Sequence, residues 1–243
     1  MTIRDRNGKL DIGRVRHGDM SRIISQIQNN FTLDALRYLP GFEYEESIYA
    51  NIDFPEIGDI DLFNIVQPPA KNSSTQTLNE IKKISSLTKN RSQQDLKLVY
   101  EVDTDPLLLF MPLIESLGLD FDRGLFSKVY YTCVSAIVDH LKYYYNRARP
   151  FQLAEFLDLE IDRIITKTHH TPSYPSGHTM YAALIGEFLI DKHPEHKSKI
   201  NAITERTGLG RVLQGVHYPS DNDSSIKIIK TIFPNLKNFF TGE

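Results

Sequence analysis

Apolar residues recur every three to four positions through most of the chain after residue 75, which is the spacing of amphipathic α-helices. The clearest stretch predicts a helix over about 123–147 and ends at Pro150. One apolar stripe marks it: Leu125, Val129, Cys133, Ile137, Leu141 and Tyr144. Strand-like alternation is nearly absent. The pattern therefore predicts an all-α fold, a helical bundle, with further helices near 78–87, 107–117, 177–192, 195–214 and 220–240.

The first 70 residues are less regular. Residues 20–38 carry apolar positions that suit a helix, whereas Tyr38–Ala70 contains seven acidic residues and no lysine or arginine. This composition favours an extended, irregular segment that wraps around a core. Its acids lack the spacing of a calcium loop. We predict one domain over residues 1–243, in which 1–70 form an irregular N-terminal arm and 75–240 form the helical catalytic core.

Composition narrows the classes of function. A net charge of −3 over 243 residues indicates neither a nucleic-acid surface nor a basic membrane patch. The single cysteine, Cys133, excludes an internal disulfide and lies in an apolar helical pattern typical of a core. The longest apolar run, Leu107–Ile114, is interrupted by Pro112 and is far shorter than the roughly 20 residues of a spanning helix. No secretory signal follows Met1, so we expect a cytoplasmic protein without integral membrane association.

A first basic cluster closes the predicted helix. Lys142 and Arg149 are seven residues apart, close to two helical turns, so both project from the same side. Two aligned cations suit an oxyanion, and arginine can bond two oxygens at once. Arg147 lies off this line and suits a solvated or structural role. Alone, the cluster is equally consistent with basic residues that complement the helix dipole.

A second cluster, Pro172-Ser-Tyr-Pro-Ser-Gly-His-Thr, precedes a predicted helix. Ser176 is a typical N-cap residue, and Gly177 lets a ligand approach the backbone. Amide groups at such a helix start point at an anion, and His178 lies where it can give a proton to a leaving group. A capped helix with an incidental histidine remains the alternative.

A third cluster contains Arg211, His217 and Asp221. Arg211 shares the inward face of its helix with Ile203 and Thr207, so its guanidinium needs an anionic partner. His217 follows the helix end, and Asp221 can accept a hydrogen bond from its Nδ1–H. Nε2 would then be unprotonated and nucleophilic. The alternative is a structural His–Asp pair that ties two helices together.

Taken together, the three clusters resemble the signature of the type 2 phosphatidic acid phosphatase (PAP2) superfamily. This superfamily includes bacterial non-specific acid phosphatases, lipid phosphatases and vanadium-dependent haloperoxidases. Its pattern is Lys-x6-Arg-Pro, then Pro-Ser-Gly-His, then Ser-Arg-x5-His-x3-Asp. Order and spacing agree at ten positions, namely Lys142, Arg149, Pro150, Pro175, Ser176, Gly177, His178, Arg211, His217 and Asp221. Gly210 replaces the serine of the third motif, so a hydroxyl near the phosphate would be missing.

The resemblance implies a phosphatase that hydrolyses phosphomonoesters without a metal or other cofactor. His217 would be the nucleophile that forms a phosphohistidine, with Asp221 orienting its ring and His178 protonating the leaving alcohol. Lys142, Arg149 and Arg211 would hold the phosphate oxygens together with Ser176 and Gly177. Vanadate is then expected to inhibit. The partner is a small phosphate ester and no nucleic acid.

Other functions stay open at this point. A vanadium haloperoxidase uses the same pocket with vanadate as its cofactor, although known members are generally longer. A membrane lipid phosphatase and a phosphate-binding module that has lost catalysis are further alternatives. Gln152 and Tyr174 flank the motifs and are expected to line the pocket, and His169-His170 is expected to be a solvated loop pair. Neither the substrate nor the oligomeric state follows from the sequence.

Overall fold

A computed structural model describes residues 33–41, 57, 60–119 and 121–241 of the chain. These residues form helices joined by turns, and no β-sheet occurs among them; an isolated bridge joins Arg37 to Arg147. The predicted all-α fold is confirmed. Contacts divide the chain into two compact units, Met1–Ala35 and Leu36–Glu243, and only the 3-10 turn Leu33–Ala35 of the first unit is described. The helices and the candidate site belong to the second unit.

Eleven α-helices lie in the described part of the chain. They are α1 (Leu62–Ile65), α2 (Thr75–Lys89), α3 (Gln93–Thr104), α4 (Met111–Ser116), α5 (Arg123–Val129), α6 (Ser135–Tyr145), α7 (Pro150–Glu155), α8 (Gly177–Lys192), α9 (Lys197–Leu213), α10 (Pro219–Leu236) and α11 (Asn238–Thr241). A π-helical turn, Tyr130–Val134, joins α5 to α6. Short 3-10 turns occupy Pro106–Leu109 and Pro194–His196.

The long helix predicted over 123–147 differs from the structure in two ways. The π-helical turn interrupts it, and it ends at Tyr145 because Asn146 adopts a left-handed conformation with φ 44°. Asparagine tolerates that conformation better than most residues. Pro150 does not end this helix; it occupies the first position of α7, where its missing N–H costs nothing.

The N-terminal expectations are tested only in part. Residues 20–32 lie outside the described residues, and Leu36–Tyr38 at the end of the predicted helix are not helical. Within the acidic segment 38–70, the described portion contains the short helix α1, which Asp61 caps by accepting bonds from two amides. Helix α3 was not predicted, although Ser92 and Asp95 form a capping box at its start.

Helix α8 is the central element of the core. It packs against α9 and α10, and its buried face includes Met180, Ala183, Leu184 and Ile185. Cys133 lies in the same apolar core, as the sequence indicates. No helix of the described residues is both long enough and apolar enough to cross a membrane.

Gly210 lies where α9 packs against α3, and it faces that helix. A Cβ atom there would stand 2.9 Å from Cγ2 and 3.2 Å from Cβ of Val102. Gly210 thus lies at a close contact between two helices in this chain. A side chain at this position would separate two packed helices.

Replacing Gly210 with serine is expected to destabilise the fold by about 1–3 kcal/mol, because the added atoms overpack a buried helix contact. The measurement is urea unfolding followed by circular dichroism. Gly124→Ser is the control, since that glycine lies in the first turn of α5 with only an exposed aspartate side chain near. Unchanged stability of Gly210→Ser would contradict this packing role.

Candidate active site

The first and third motifs meet at one hydrogen bond. Nη1 of Arg149 lies 3.0 Å from Nε2 of His217. Arg149 lies at the N-cap position of α7, and its guanidinium also donates to the carbonyl oxygens of Thr171 (2.9 Å) and Val216 (2.7 Å). These backbone bonds hold the guanidinium against the histidine ring. Both side chains are almost fully buried.

This contact defines the tautomer of His217. A guanidinium can only donate, so Nε2 must be the accepting, unprotonated nitrogen. The ring proton is then on Nδ1, which lies 3.0 Å from Oδ2 of Asp221. Burial, followed by the charges of Arg149 and Lys142, holds the pKa of His217 well below its usual range. The result is a neutral imidazole with its lone pair directed at the cations.

Several donors form hydrogen bonds with the Asp221 carboxylate. Its Oδ2 also accepts from Ser173 Oγ at 2.5 Å and from the Tyr218 amide at 3.0 Å. Its Oδ1 accepts from Nη1 of Arg147 at 2.5 Å. Arg147 thereby places a buried positive charge beside the carboxylate that holds the histidine. Arg147 is thus structural, as expected, but it acts on the candidate nucleophile through Asp221.

Lys142 and Arg149 share an unusual property. Both are buried, yet among the described residues neither forms an ion pair with an acidic side chain. Lys142, in the last turn of α6, donates to the Pro172 carbonyl at 2.5 Å. Burial, followed by the charge of Arg149, holds the pKa of Lys142 well below its usual range. Burial, followed by the charge of Arg211, lowers the pKa of Arg149 to about 9.

The lack of an acidic ion-pair partner for Lys142 and Arg149 among the described residues indicates that this site binds an anion. Uncompensated buried cations are strongly unfavourable, and a bound oxyanion would neutralise them.

Arg211 joins this group from α9 and is also fully buried. Its Nη1 donates to Oδ1 of Asp103 at 2.6 Å, and its Nη2 donates to Thr168 at 3.1 Å. Its Nε is buried without a hydrogen-bond partner in the described part of the chain. Oδ1 of Asp103 also accepts hydrogen bonds from Thr166, Thr168 and Gln214. This one carboxylate oxygen therefore links α3 to the loop before α8 and to the end of α9.

The second motif lies at the start of α8. Ser176 occupies the N-cap position, but its hydroxyl lies 3.0 Å from Thr179 Oγ1 and caps no backbone amide. Its amide donates to Ser225 Oγ at 2.8 Å, and Ser225 donates to the Asp221 carbonyl at 2.7 Å. This chain of bonds ties the second motif to the third. The Gly177 carbonyl accepts from Tyr130 OH at 3.2 Å.

His178 follows Gly177 in the first turn of α8. Burial, followed by the charge of Arg211, holds its pKa well below the usual range, while the charge and backbone of Asp103 oppose that shift. His178 and Arg211 also shift the pKa of His217, so all three lie within electrostatic reach of one another. The structure therefore brings together the eight side chains and backbone positions singled out in the sequence.

Some positions differ from expectation. Gln152 accepts from the Arg149 amide at 2.8 Å and donates to the Tyr38 carbonyl, and the Tyr174 hydroxyl donates to the Gln67 carbonyl at 2.6 Å. Both support backbone rather than lining the pocket. His169 is buried, with its ring stacked on His170 at 5.2 Å, so the expected solvated pair was wrong for His169.

Sequence reasoning missed Asp103, Thr168 and Ser173. Asp103 lies 108 residues from Arg211, in a helix with no recognisable motif, so no local signal marks it. Ser173 lies inside the second cluster, two residues before Pro175, and could have been suspected from that position. Among the described residues, no group of three or more histidine, cysteine or acidic side chains could hold a metal ion.

Comparison with known proteins agrees with this geometry. Residues 124–226 match the model of the PAP2 superfamily. Non-specific acid phosphatases of Salmonella typhimurium and Salmonella typhi are each 35% identical over 97 residues, which are 39% of this chain and 36% of each relative. The match thus spans about a third of the relatives' length.

A solved structure is also similar. A transmembrane PAP2 type phosphatidylglycerolphosphate phosphatase from Bacillus subtilis aligns with a TM-score of 0.47 and 22% identity. The alignment covers 70% of this chain and 89% of that one.

Proposed function

We propose that this chain is a metal-independent phosphatase that hydrolyses phosphomonoesters through a phosphohistidine on His217. One observation carries the proposal: Arg149 lies 3.0 Å from the unprotonated Nε2 of His217, whose ring Asp221 orients. Arg149 and Lys142, whose charge also acts on His217, are buried without an acidic partner among the described residues. A phosphate dianion supplies the missing negative charge, and Nε2 supplies the nucleophile. The two relatives described above are named non-specific acid phosphatases, which supports the same reaction class.

The first step forms the covalent intermediate. The Nε2 lone pair of His217 attacks phosphorus in line, and the bond from phosphorus to the alcohol oxygen breaks. His178 gives its proton to that oxygen, so the alcohol leaves neutral. The Nδ1–H of His217 stays bonded to Asp221, which stabilises the positive charge that develops on the ring.

The second step releases phosphate. Water attacks phosphorus, His178 takes a proton from that water, and the nitrogen–phosphorus bond breaks. Inorganic phosphate leaves and both histidines regain their starting states. Throughout, Lys142, Arg149 and Arg211 stabilise charge on the phosphate oxygens, with Ser176 and the Gly177 amide as further donors. Fixed cations at these positions perform the role that metal ions perform in other phosphatases.

Activity is expected to be highest on the acidic side of pH 6.5, the ordinary pKa of histidine. His178 must carry a proton, and its lowered pKa means that the protonated fraction of the free protein falls as pH rises through that value. His217 must be neutral, and its lowered pKa extends the neutral form to lower pH. The measurement is kcat/KM for an alkyl phosphate against pH, with a decline of about tenfold per pH unit on the alkaline side.

The control for this profile is p-nitrophenyl phosphate, whose leaving group needs less protonation and should give a shallower alkaline decline. A flat or rising kcat/KM for the alkyl phosphate above neutral pH would show that His178 is not the general acid.

The function is tested with a phosphomonoester panel assayed in EDTA and, separately, in orthovanadate. We expect turnover to survive EDTA, because the cations replace a metal, and to be inhibited by orthovanadate, which mimics the five-coordinate phosphorus. Loss of activity in EDTA with recovery on adding a divalent metal would overturn the metal-independent mechanism. Oxidation of bromide by peroxide with added vanadate, and no phosphomonoester turnover, would indicate a haloperoxidase instead.

A further inference from the structure

The buried guanidinium of Arg147 faces two carboxylates. Its Nη1 donates to Oδ1 of Asp221 at 2.5 Å, and its Nη2 lies 3.6 Å from Oε2 of Glu80, a residue of α2. Both carboxylates are largely removed from solvent, since the side chain of Asp221 has no exposed surface and that of Glu80 is 12% exposed. With both carboxylates ionised, this group of three side chains carries one net negative charge.

Ser220, in the first turn of α10, connects Arg147 to Glu80. The Ser220 amide donates to Oε1 of Glu80 at 2.7 Å, and the Ser220 hydroxyl donates to Oε2 at 2.9 Å. The same hydroxyl oxygen accepts a bond from Nη1 of Arg147 at 3.1 Å. Amides in the first turn of a helix lack a partner within that helix, so Glu80 supplies the acceptor from α2. Glu80 is therefore fixed at the helix start that carries Asp221.

The groups around Glu80 suit an ionised carboxylate. Burial raises the pKa of Glu80, while the bond from the Ser220 amide and the charge of Arg147 oppose that shift. An amide and a guanidinium can only donate, so both interact favourably with the ionised form. The charge of Asp221 is also among the causes that raise this pKa. The two carboxylates are therefore within electrostatic reach of each other.

Arg147 is held in this position by its surroundings. Its Cζ lies 3.8 Å from the centroid of the buried Tyr218 ring, and only 2% of its side chain is exposed. Glu80 and Asp221 are its acidic partners in the part of the chain that the structure describes. Because the guanidinium cannot turn to solvent, loss of the Glu80 charge would leave Asp221 as its only counter-charge among the described residues.

The charge on Asp221 matters for the chemistry at His217. When Nε2 of His217 bonds to phosphorus, the ring becomes positive, and Asp221 is bonded to its Nδ1–H at 3.0 Å. A carboxylate paired with an arginine of its own would form a neutral pair and offer little net charge to the ring. Sharing Arg147 with Glu80 leaves one negative charge beside the imidazole.

We propose that Glu80 is a positioning residue of the active site, which shares Arg147 with Asp221 and thereby keeps negative charge available to stabilise the phosphorylated His217. The assignment rests on the proposed phosphohistidine mechanism. It adds to that mechanism a residue outside the three motifs and outside residues 124–226, which match the PAP2 model. Glu80 acts through Arg147 and Asp221, and not by contact with the substrate.

The test replaces Glu80 with glutamine, which has nearly the same shape and can still accept a bond from the Ser220 amide. The value of kcat/KM for an alkyl phosphate is expected to fall by about tenfold, the lower end of the effect of a group that supports a catalytic ligand. Inhibition by orthovanadate, which resembles the transition state at Nε2, should weaken by a similar factor. Inhibition by inorganic phosphate should stay unchanged, because the cations that hold its oxygens remain.

The matched control is Glu187→Gln. Glu187 is a partly buried residue of α8, and burial raises its pKa as it does for Glu80, but the opposing charges come from Lys230 and Lys197. This control should change none of the three values. Circular dichroism checks that both variants are folded.

Proton NMR supplies a measurement that does not depend on turnover. The Nδ1–H resonance of His217 lies downfield when its acceptor carries strong negative charge. In Glu80→Gln it should move upfield, because Arg147 then neutralises Asp221 more completely, and in Glu187→Gln it should stay in place.

Ser220→Ala provides a second variant in case Glu80→Gln does not fold. It removes the hydroxyl between Arg147 and Glu80 and keeps the amide bond. The expected decrease in kcat/KM and in vanadate affinity is about threefold, the value of one hydrogen bond.

The outcomes separate this assignment from the proposed function. Turnover by the original chain, with kcat/KM and vanadate inhibition unchanged in folded Glu80→Gln or Ser220→Ala, overturns the role of Glu80 and leaves the phosphatase intact. Equal weakening of phosphate and vanadate inhibition would indicate a general disturbance of the site and also overturns the positioning role. Absence of turnover in the original chain overturns the proposed function itself.

Discussion

Replacing His217 with alanine is expected to lower kcat for every phosphomonoester by at least about 10⁴-fold, because it removes the atom that forms the covalent intermediate. The buried cations that hold phosphate remain, so competitive inhibition by inorganic phosphate should persist. The measurement is steady-state turnover combined with trapping of a ³²P-labelled phosphoenzyme in alkaline detergent, which preserves the acid-labile phosphorus–nitrogen bond. The label should form in the original chain and be absent in the variant.

The matched control is His196→Ala. His196 ends the short 3-10 turn before α9 and is partly exposed, so its removal should change neither turnover nor labelling. A labelled phosphoenzyme in His217→Ala, or turnover within tenfold of the original, would exclude His217 as the nucleophile. Equal circular dichroism spectra of both variants would show that the comparison concerns chemistry and not folding.

Replacing Asp221 with asparagine is expected to lower kcat by about 10⁴-fold, the size of effect seen when a catalytic histidine loses its orienting carboxylate. The amide group can donate to Nδ1, which would put the ring proton on Nε2 and block the attacking lone pair. Arg147 would also lose its closest carboxylate, at 2.5 Å, and become an incompletely paired buried charge. Stability should therefore fall by about 3–5 kcal/mol.

Two measurements separate these effects. ¹⁵N NMR of the imidazole reports the tautomer directly, and thermal unfolding reports the stability loss. Asp223→Asn is the control, because Asp223 is exposed on the same helix, two residues away, and faces no group of the candidate site. An Asp221→Asn protein that is folded at the assay temperature, with Nδ1 still protonated and normal kcat, would contradict the orienting role.

The fold could be predicted from the sequence where one face of a helix is continuously apolar. Helices α2, α8, α9 and α10 overlap the predicted stretches, because burial of an apolar stripe imposes the 3.6-residue period. The interruption after α5 could not be predicted this way. A π-helical turn adds one residue to a turn, and the apolar stripe runs through Val129 and Cys133 with nothing to mark it.

Some residues of the candidate site could be predicted from the sequence, and others could not. Lys142, Arg149, His178, Arg211, His217 and Asp221 could be singled out because their spacing within each motif is short and constrained. Asp103 could not, since its contact with Arg211 joins α3 to α9 across more than a hundred residues. Gly210 shows the opposite case: its place in the motif suggested phosphate chemistry, and its surroundings show helix packing against Val102.

The sequence by itself determined the helical class, the three motifs and the identity of the groups able to hold and attack a phosphate. Those properties depend on residue type and local spacing, which the chain carries without folding. Only the tertiary structure decided which nitrogen of His217 is free, since that follows from the Arg149 and Asp221 contacts on either side of the ring. It also decided that Lys142 and Arg149 are buried without acidic partners, because burial and pairing exist only after distant segments meet.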